Sequence, residues 1–453
     1  MRRLHTPLLP LAALLLGAVL PLQAWSAVSA AEAAKLKGEL TPFGAEKAGN
    51  AAGTIPAWTG GYTTPQPGFV NGGKRGDPFA NEKPLYSVTA KNLAEHQDKL
   101  TDGLQALFKK YPDSYRIDVY PTHRTSAAPQ WVYDNTLKNA TRAKTENYKL
   151  TGAYGGIPFP IPKNGEEVMW NHLLRWRPVA WHMNFTGMQV TGAGKQIAAA
   201  MGSADFQMPY YDKDGSVDKF DGTFWQIRMM NSGPAIRAGE GIVGREHLDP
   251  DKTQSWVYLP GQRRTRKLPN SCCDTPTPAS AGISLFDQTD VFTGRLDRFD
   301  WKIIGKKEMI IPYNDNRQLQ ASLKDLLMPH HLNPSVTRFE LHRVWVIEAT
   351  LRAGQRHVQP KRRYYLDEDT WTAVLADHWG ADGQLWQMGF ASTAVLPDIP
   401  ATTSPGNFGF YDLITGAWYL GTLLNDQAEQ FKVMPLYPDN TFTPEAIAAA
   451  GVR

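Results

Sequence analysis

The chain has 453 residues, of which 42% are hydrophobic, 20% charged and 11% aromatic. This length is enough for one large or two ordinary domains with a sizeable core. Glycine and proline number 39 and 33, and so many helix breakers argue against a helical bundle or coiled coil. The aromatic content argues against a disordered chain.

The first thirty residues have the pattern of a secretory leader. Arg2 and Arg3 precede an apolar run from Leu8 to Leu20, and small residues follow up to Ala30. The run is too short to span a membrane, and no later stretch of the sequence offers about 18 uninterrupted apolar residues. We therefore predict a signal peptide over residues 1–30, with cleavage between Ser26 and Ala31. The mature chain is predicted to have no transmembrane segment.

The charge of the mature chain is nearly balanced. Removal of Arg2 and Arg3 leaves 46 basic and 44 acidic residues, a net charge of +2. This balance predicts no general affinity for nucleic acid. Local basic patches at residues 263–267 and 361–363 are typical of solvated strand faces or turns, and contact with an anionic group or a partner surface is the alternative.

The two cysteines, Cys272 and Cys273, are adjacent. An even count in an exported protein indicates a disulfide. Adjacent residues hold their Cα atoms about 3.8 Å apart, whereas disulfides span about 4.4 to 6.8 Å, so a bridge between neighbours would be strained. A strained bridge, a free pair and an intermolecular bond all remain open, and the fold does not depend on any of them.

The N-terminal half predicts helices and loops. Residues 31–84 are rich in glycine and proline, which predicts an extended, loop-rich segment lying on the rest of the protein. Residues 85–185 predict a helical part packed on a sheet. Its helices are one that Thr89 caps and that ends before Pro112, one over 134–148 and a third that starts at Asn164. Glu167 completes a capping box there. A last helix, within 441–453, opens at Thr443-Pro444.

Residues 186–440 alternate with a period of two, which is typical of β-strands. Predicted strands cover 223–230, 256–259, 301–304, 308–313, 338–351, 363–366 and 370–378, with one helix over 318–328. Short connections such as Pro260-Gly261 and Asp367–Asp369 force neighbouring strands to be antiparallel. The pattern therefore predicts an α+β protein with a curved, mostly antiparallel sheet.

The predicted strands carry large apolar side chains on one face and mixed side chains on the other. Such a sheet either packs into a filled core or curves around a cavity, and both alternatives remain open. The large side chains on the apolar face are Trp256, Tyr258, Trp301, Ile303, Met309, Ile311, Trp345 and Ile347.

Motifs for catalysis and metal binding are missing from the sequence. Gly192–Lys195 lacks the residues of a phosphate loop, and the histidine pair His330-His331 has poor geometry for one metal ion. The acidic loop at Asp212–Asp218 departs from the spacing of a calcium site. We therefore predict no catalytic residue, no metal and no cofactor, and a hydrolase is the weakest of the functional alternatives.

Several segments resemble an uncharacterised family of exported bacterial proteins described as outer-membrane lipoprotein-sorting-like. Leu40-Thr-Pro-Phe-Gly-Ala-Glu-Lys-Ala-Gly-Asn50 opens the match, which continues through Tyr258-Leu-Pro-Gly-Gln-Arg-Arg264 and Asp300-Trp-Lys-Ile-Ile-Gly305. The second half, with Trp256-Val-Tyr-Leu-Pro260 and Arg343-Val-Trp-Val-Ile-Glu348, is similar to periplasmic lipoprotein carriers. The family is also similar to proteins whose genes lie beside those of exporters of the resistance–nodulation–division type.

The resemblance implies a fold and a function. The fold is an unclosed antiparallel barrel wrapped around helices, which we place at residues 186–440. The function is a periplasmic carrier, with outer-membrane association as a further expectation, for a lipid or another hydrophobic molecule. Its implied partners are an exporter of the resistance–nodulation–division type and an outer-membrane protein. A structural adaptor of an envelope complex, with a filled barrel, is the main alternative.

The carrier hypothesis assigns roles to particular residues. The apolar face named above, together with Trp371, is predicted to line the hollow of the barrel. Arg263, Arg264 or Arg363 is predicted to contact a polar headgroup at its rim.

Overall fold

One large sheet organises the chain. The computed structural model describes residues 27–268, 273–404 and 407–451, and within them the sheet has sixteen strands, with two short hairpins standing apart. Most of the predicted signal peptide, residues 1–26, lies outside the described residues.

The strands that the structure describes are numbered in chain order. They are β1 (Tyr86–Val88), β2 (Ile117–Val119), β3 (Lys144–Glu146), β4 (Lys149–Thr151), β5 (Ala180–Val190), β6 (Gln196–Gln207), β7 (Thr223–Gly233), β8 (Gly241–His247), β9 (Gln254–Leu259), β10 (Arg264–Lys267), β11 (Phe299–Pro312), β12 (Phe339–Leu351), β13 (Lys361–Asp367), β14 (Ala373–Trp379), β15 (Leu385–Ala391), β16 (Ala394–Leu396), β17 (Ala401–Thr403), β18 (Phe408–Asp412), β19 (Trp418–Leu423) and β20 (Lys432–Val433).

Two antiparallel runs make up the large sheet. Strands β5 to β10 are neighbours in chain order, and β12 to β15 are followed by β18 and β19. The pairing of β19 with β5, for example Trp418 with Val190, joins the two runs. Among the described strands only β2 and β12 pair in parallel. The edge strands β10 and β11 do not pair with each other, so the predicted unclosed, mostly antiparallel sheet is confirmed.

Short helices flank the sheet. In the described residues they are α1 (Ala30–Ala34), α2 (Leu93–His96), α3 (Asp102–Lys110), α4 (Gln130–Arg142), α5 (Gly165–Leu173), α6 (Asn316–Gln320), α7 (Leu323–Leu326) and α8 (Pro444–Gly451). The predicted starts of α5, capped by the Asn164 side chain, and of α8 are confirmed.

Three helices differ from their predicted extents. The helix predicted to be capped by Thr89 begins instead at Leu93. It is divided into α2 and α3, because the Thr101 hydroxyl accepts the backbone N–H of Leu104 and begins a new helix there. The helix predicted to reach residue 148 ends at Arg142, since Asn147 and Tyr148 adopt left-handed conformations that turn β3 into β4. The helix predicted over 318–328 is divided into α6 and α7, because Ser322 caps α7.

Both faces of the central strand β12 are buried. Val344 and Val346 pack in one apolar cluster with α3, and Ile347 packs in a second cluster with α5. The sequence predicted one apolar and one mixed face, but Glu340 and His342 on the mixed face are at most 1% exposed. Glu340 satisfies its carboxylate by pairing with Arg338 at 2.6 Å and with His342 at 3.0 Å.

The irregular segment before β1 is held down by side chains from the far end of the chain. Arg75 donates two hydrogen bonds of 2.8 and 2.7 Å to Asp398, and its guanidinium lies over the ring of Phe431. At the start of the described chain, Val28 is buried and its backbone N–H bonds to the carbonyl of Ala140 at 3.1 Å. Val28 lies inside the predicted cleavage window, and the cleavage site itself stays a prediction.

The first turn of α5 touches the sheet backbone. A Cβ atom at Gly165 would lie 2.7 to 2.9 Å from backbone atoms of Trp301 and Lys302. We expect Gly165→Ala to lower the free energy of unfolding by about 1–3 kcal/mol, because strand and helix must separate. Urea denaturation measures the change. Gly261→Ala is the control, since nothing lies within 4 Å of its added methyl group; equal stability losses in both variants would contradict the expected contact.

Candidate functional site

A cavity of about 190 Å³ lies against strands β5 to β8. Sixteen of its lining side chains are apolar, and nine of those are aromatic. They are Leu173, Trp181, Met183, Phe185, Ala204, Phe206, Phe224, Trp225, Ile227, Met229, Ile242, Ala279, Phe286, Phe408, Tyr419 and Phe431. A second depression, of about 240 Å³, lies between the N-terminal segment and α4 and is more open and more polar. The first is therefore the better candidate for a binding site.

The strand register builds one side of the cavity, which we call the floor. In one row across the sheet, Trp181 pairs with Phe206, Phe206 with Ile227 and Ile227 with Gly244. The rings of Trp181 and Phe206 stack with centroids 4.9 Å apart. Because alternate residues of a strand face the same side, these side chains reach the cavity together.

A second row lies next to the first. Met183 pairs with Ala204, Ala204 with Met229 and Met229 with Ile242. Ala204 carries one methyl group and Gly244, in the first row, carries none. These small residues stand among large neighbours, and they keep the floor from filling the space above it.

The opposite side is formed by residues 273–298, which we call the covering segment. None of its described residues contributes a strand to the large sheet. It is made of turns, and its residues on the cavity are Thr277, Ala279, Ser284, Phe286, Thr289, Asp290 and Thr293. Strands β18 and β19 add Phe408, Tyr419 and Thr422, so both runs of the sheet meet at the cavity.

Charged side chains gather where α5 leads into β5. Arg175 and Arg177 line the cavity, and both donate to the same oxygen of Asp290. Arg175 is 2% exposed and also donates to the carbonyl of His172. The Nε atoms of both arginines are buried without a hydrogen-bond partner among the described residues.

Two further titratable groups lie near these arginines or on the cavity wall. Burial and the charge of Arg177 lower the pKa of His172 to about 3, so this imidazole is neutral. Burial raises the pKa of Glu246, on β8, to about 7. This carboxyl accepts a 3.3 Å hydrogen bond from the hydroxyl of Thr253, which lies between β8 and β9.

The structure places the predicted lining residues elsewhere. None of the nine is among the described residues that line the cavity. Trp256 and Tyr258 face α8, because Ser255 is the residue of β9 that faces the cavity. Met309 and Ile311 pack in the α3 cluster, and the others pack in or against the α5 cluster. These others are Trp301, Ile303, Trp345, Ile347 and Trp371.

The predicted rim arginines also lie away from the cavity lining. Arg263 and Arg264 are exposed in the β9–β10 hairpin, where Arg263 adopts a left-handed conformation. Arg363 donates a 2.8 Å hydrogen bond to Glu348 and stands over the ring of Trp379. The cationic groups on the cavity are instead Arg175 and Arg177, which follow α5.

Cys273 begins the second described stretch of the chain and the covering segment. It is 2% exposed and disulfide-bonded, and its φ angle is 78°. Cys272 lies outside the described residues.

A separate group of buried charges surrounds the turn between β13 and β14. Nitrogen and oxygen atoms of His342, Asp367 and Asp369 lie within 4.8 Å of one another, close enough to share a metal ion. Arg124 binds both oxygens of Asp369, at 2.7 and 2.8 Å, and His342 bonds to Glu340 at 3.0 Å. Internal ion pairs therefore account for this group, which we call the buried ionic cluster.

The buried ionic cluster holds protons unusually tightly. Burial, followed by the charge of Asp369, raises the pKa of Asp367 to about 7. Burial disfavours the charged form of His342, but the hydrogen bond to Glu340 and the negative charges of Glu340, Asp367 and Asp369 together outweigh it and raise the pKa of that imidazole. One oxygen of Asp367 has no hydrogen-bond partner in the described structure.

The raised pKa of Asp367 makes a pH-dependent contribution to stability. The folded protein holds this proton more tightly than the unfolded chain, whose aspartates have a pKa of about 3.9. The contribution is therefore present at low pH and is lost as the pH rises through 7. We expect the free energy of unfolding of the wild type, relative to Asp367→Asn, to fall between pH 5 and 7 by up to about 1.4 kcal/mol per pH unit.

Urea denaturation at pH 5, 6, 7 and 8 measures this difference. The amide that replaces the carboxyl in Asp367→Asn stays neutral throughout, so pH effects of groups that do not interact with Asp367 cancel in the comparison. Asp113→Asn, at an exposed site outside the cluster, is the control. A difference between wild type and Asp367→Asn that stays constant with pH would contradict the tightly held proton.

No helix among the described residues is long and apolar enough to cross a bilayer.

The family described as "Protein of unknown function (DUF1329)" matches residues 87–448. The uncharacterized protein PA3922 of Pseudomonas aeruginosa is 36% identical over 470 residues, covering 99% of this chain and 98% of the relative. These matches confirm the predicted resemblance to an uncharacterised bacterial family.

Solved structures with a similar fold were also found. An outer membrane lipoprotein-sorting protein domain from Vibrio parahaemolyticus is 11% identical, with a TM-score of 0.41, and covers 59% of this chain and 91% of its own. A DUF1329 family protein from Desulfovibrio piger is 13% identical, with a TM-score of 0.38 and coverages of 60% and 92%. The LolA superfamily protein NE2245 from Nitrosomonas europaea is 11% identical, with a TM-score of 0.36 and coverages of 62% and 98%.

Proposed function

We propose that this chain, which belongs to the DUF1329 family of proteins of unknown function, is a periplasmic binding protein and carrier for a lipid or another hydrophobic molecule. The observation that carries the proposal is the apolar cavity between the floor strands and the covering segment. Its volume of about 190 Å³ exceeds that of an apolar cavity of about 150 Å³ that stays dry and binds benzene.

The chemistry of the lining supports a featureless apolar guest. Nine aromatic rings and two methionines, Met183 and Met229, line the cavity, and such side chains adapt to guests without directional groups. Burial contributes about 0.8 kcal/mol for each methylene, so eight methylenes contribute about 6 kcal/mol before the entropy loss of association is subtracted.

The proposed location follows from the leader pattern, and the proposed partners follow from the need to release the guest. The basic and apolar leader pattern of residues 1–30 supports export to the periplasm, with outer-membrane association as an extension. A buried guest leaves only when a partner or a shape change lowers its affinity. The resemblance to proteins encoded beside resistance–nodulation–division type exporters supports such an exporter, with an outer-membrane protein, as the partner of this step.

Filling the cavity should abolish binding. Ile242 is half-buried on β8 and lines the cavity. We expect Ile242→Trp to weaken binding of the fluorescent apolar probe N-phenyl-1-naphthylamine at least tenfold, because the indole occupies the space of the guest. Probe titration of the purified mature protein, with mass spectrometry of its organic extract, measures binding and any lipid carried from the cell.

The matched control is Ile414→Trp, in the exposed turn between β18 and β19, outside the cavity lining. It should bind the probe as the wild type does. Circular dichroism of both variants establishes that they are folded. A wild-type protein that binds no probe and carries no lipid would refute the carrier function, as would unchanged binding by a folded Ile242→Trp variant.

A further inference from the structure

We infer that the guest of this cavity carries an anionic oxygen-acid head, a carboxylate or a phosphate, which Arg175 and Arg177 bind. This inference rests on the proposed function, since it names the chemical class of the guest held by the same cavity.

The chain positions both arginines at one end of the cavity. They follow α5 in the connection to β5, two residues apart, and both line the cavity. Trp176, between them, is buried and donates to the carbonyl of Pro400. Alternation along this extended connection therefore sends the two guanidinium groups to the same side.

The hydrogen bonding of these arginines is incomplete. Arg177 donates through one terminal nitrogen to Asp290, and its Nε has no partner among the described residues. The Nε of Arg175, a residue 2% exposed, is also without a partner there. Buried donors left unpaired are unfavourable by about 1–3 kcal/mol, and more when the group is charged, so an acceptor on a guest stabilises them after a small rearrangement of the side chains.

The charge balance at this end of the cavity favours an anion. Two guanidinium groups face one carboxylate, Asp290, which leaves at least one positive charge. His172, beside them, adds none, because its lowered pKa keeps it neutral. The remaining acid on the lining, Glu246, is on β8 and bonds to Thr253.

Hydroxyl groups lie on the same lining. Thr289 and Thr293 of the covering segment and Ser404 after β17 face the cavity. Thr289 donates to the carbonyl of Phe286, and Ser404 bonds to Asp290. The Thr293 hydroxyl and the guanidinium groups together match the several lone pairs of a carboxylate or phosphate. The guest is therefore an amphiphile with an apolar tail over the floor strands and an acid head at the arginines.

A homologous set of ligands tests the head and the tail separately. Dodecanoate, dodecyl phosphate and dodecanol share one tail, and competition with N-phenyl-1-naphthylamine measures their affinities below their critical micelle concentrations. We expect at least one of the two anions to bind tenfold or more tightly than dodecanol. The anion that binds better identifies the head as carboxylate or phosphate.

Variants assign the preference to the arginine pair. Arg177→Gln should make the ratio of the anion affinity to the dodecanol affinity fall toward one, and Arg177→Lys should restore part of the preference. Arg264→Gln, at an exposed arginine outside the lining, is the control and should keep the full preference. Thermal denaturation establishes that each variant is folded.

The outcomes separate the two proposals. Equal affinity of the wild type for dodecanol and both anions would overturn the acid head and leave the carrier function standing. A preference that survives in folded Arg177→Gln would overturn the assignment to the arginine pair. Failure of all three ligands and of the probe to bind would refute the carrier function itself.

Discussion

The pairing of β19 with β5 is the constraint on which the rest of the architecture depends. It joins two antiparallel runs, each of which is built from near neighbours in sequence, into one sheet. The cavity exists because of this junction: β5 to β8 supply its floor, and Phe408 and Tyr419, from β18 and β19, supply the side across the junction. Without the junction neither run encloses a space.

The architecture was largely predictable from the sequence. Alternation in residues 338–351 and the Pro260-Gly261 turn identified strands and a hairpin because both signals are local. The cavity lining was not predictable in the same way. In β9, alternation separates Ser255 from Trp256 and Tyr258, but it does not say which side meets α8. The side is decided by the packing of α8, which lies almost two hundred residues away in the sequence.

The residues that line the cavity were not predicted, although the sequence carries a weak pattern that points to them. Residues 181–185, placed in the predicted helical part, alternate as strongly as the predicted strands, and residues 225–229 alternate within the predicted strand 223–230 but were not assigned to the lining. Ala204 and Gly244 are small where a filled core would place larger side chains. The register of the strand pairs is what brings these side chains together on one concave surface. Likewise, the polar side chains of Glu340 and His342 suggested a mixed face, whereas both are buried and Glu340 bonds to Arg338 and to His342.

The covering segment gives the cavity a roof that is not part of the sheet. In the proposed carrier, substitutions in the turns of this roof would therefore alter access to the cavity while the backbone hydrogen bonds between the sheet strands stay in place.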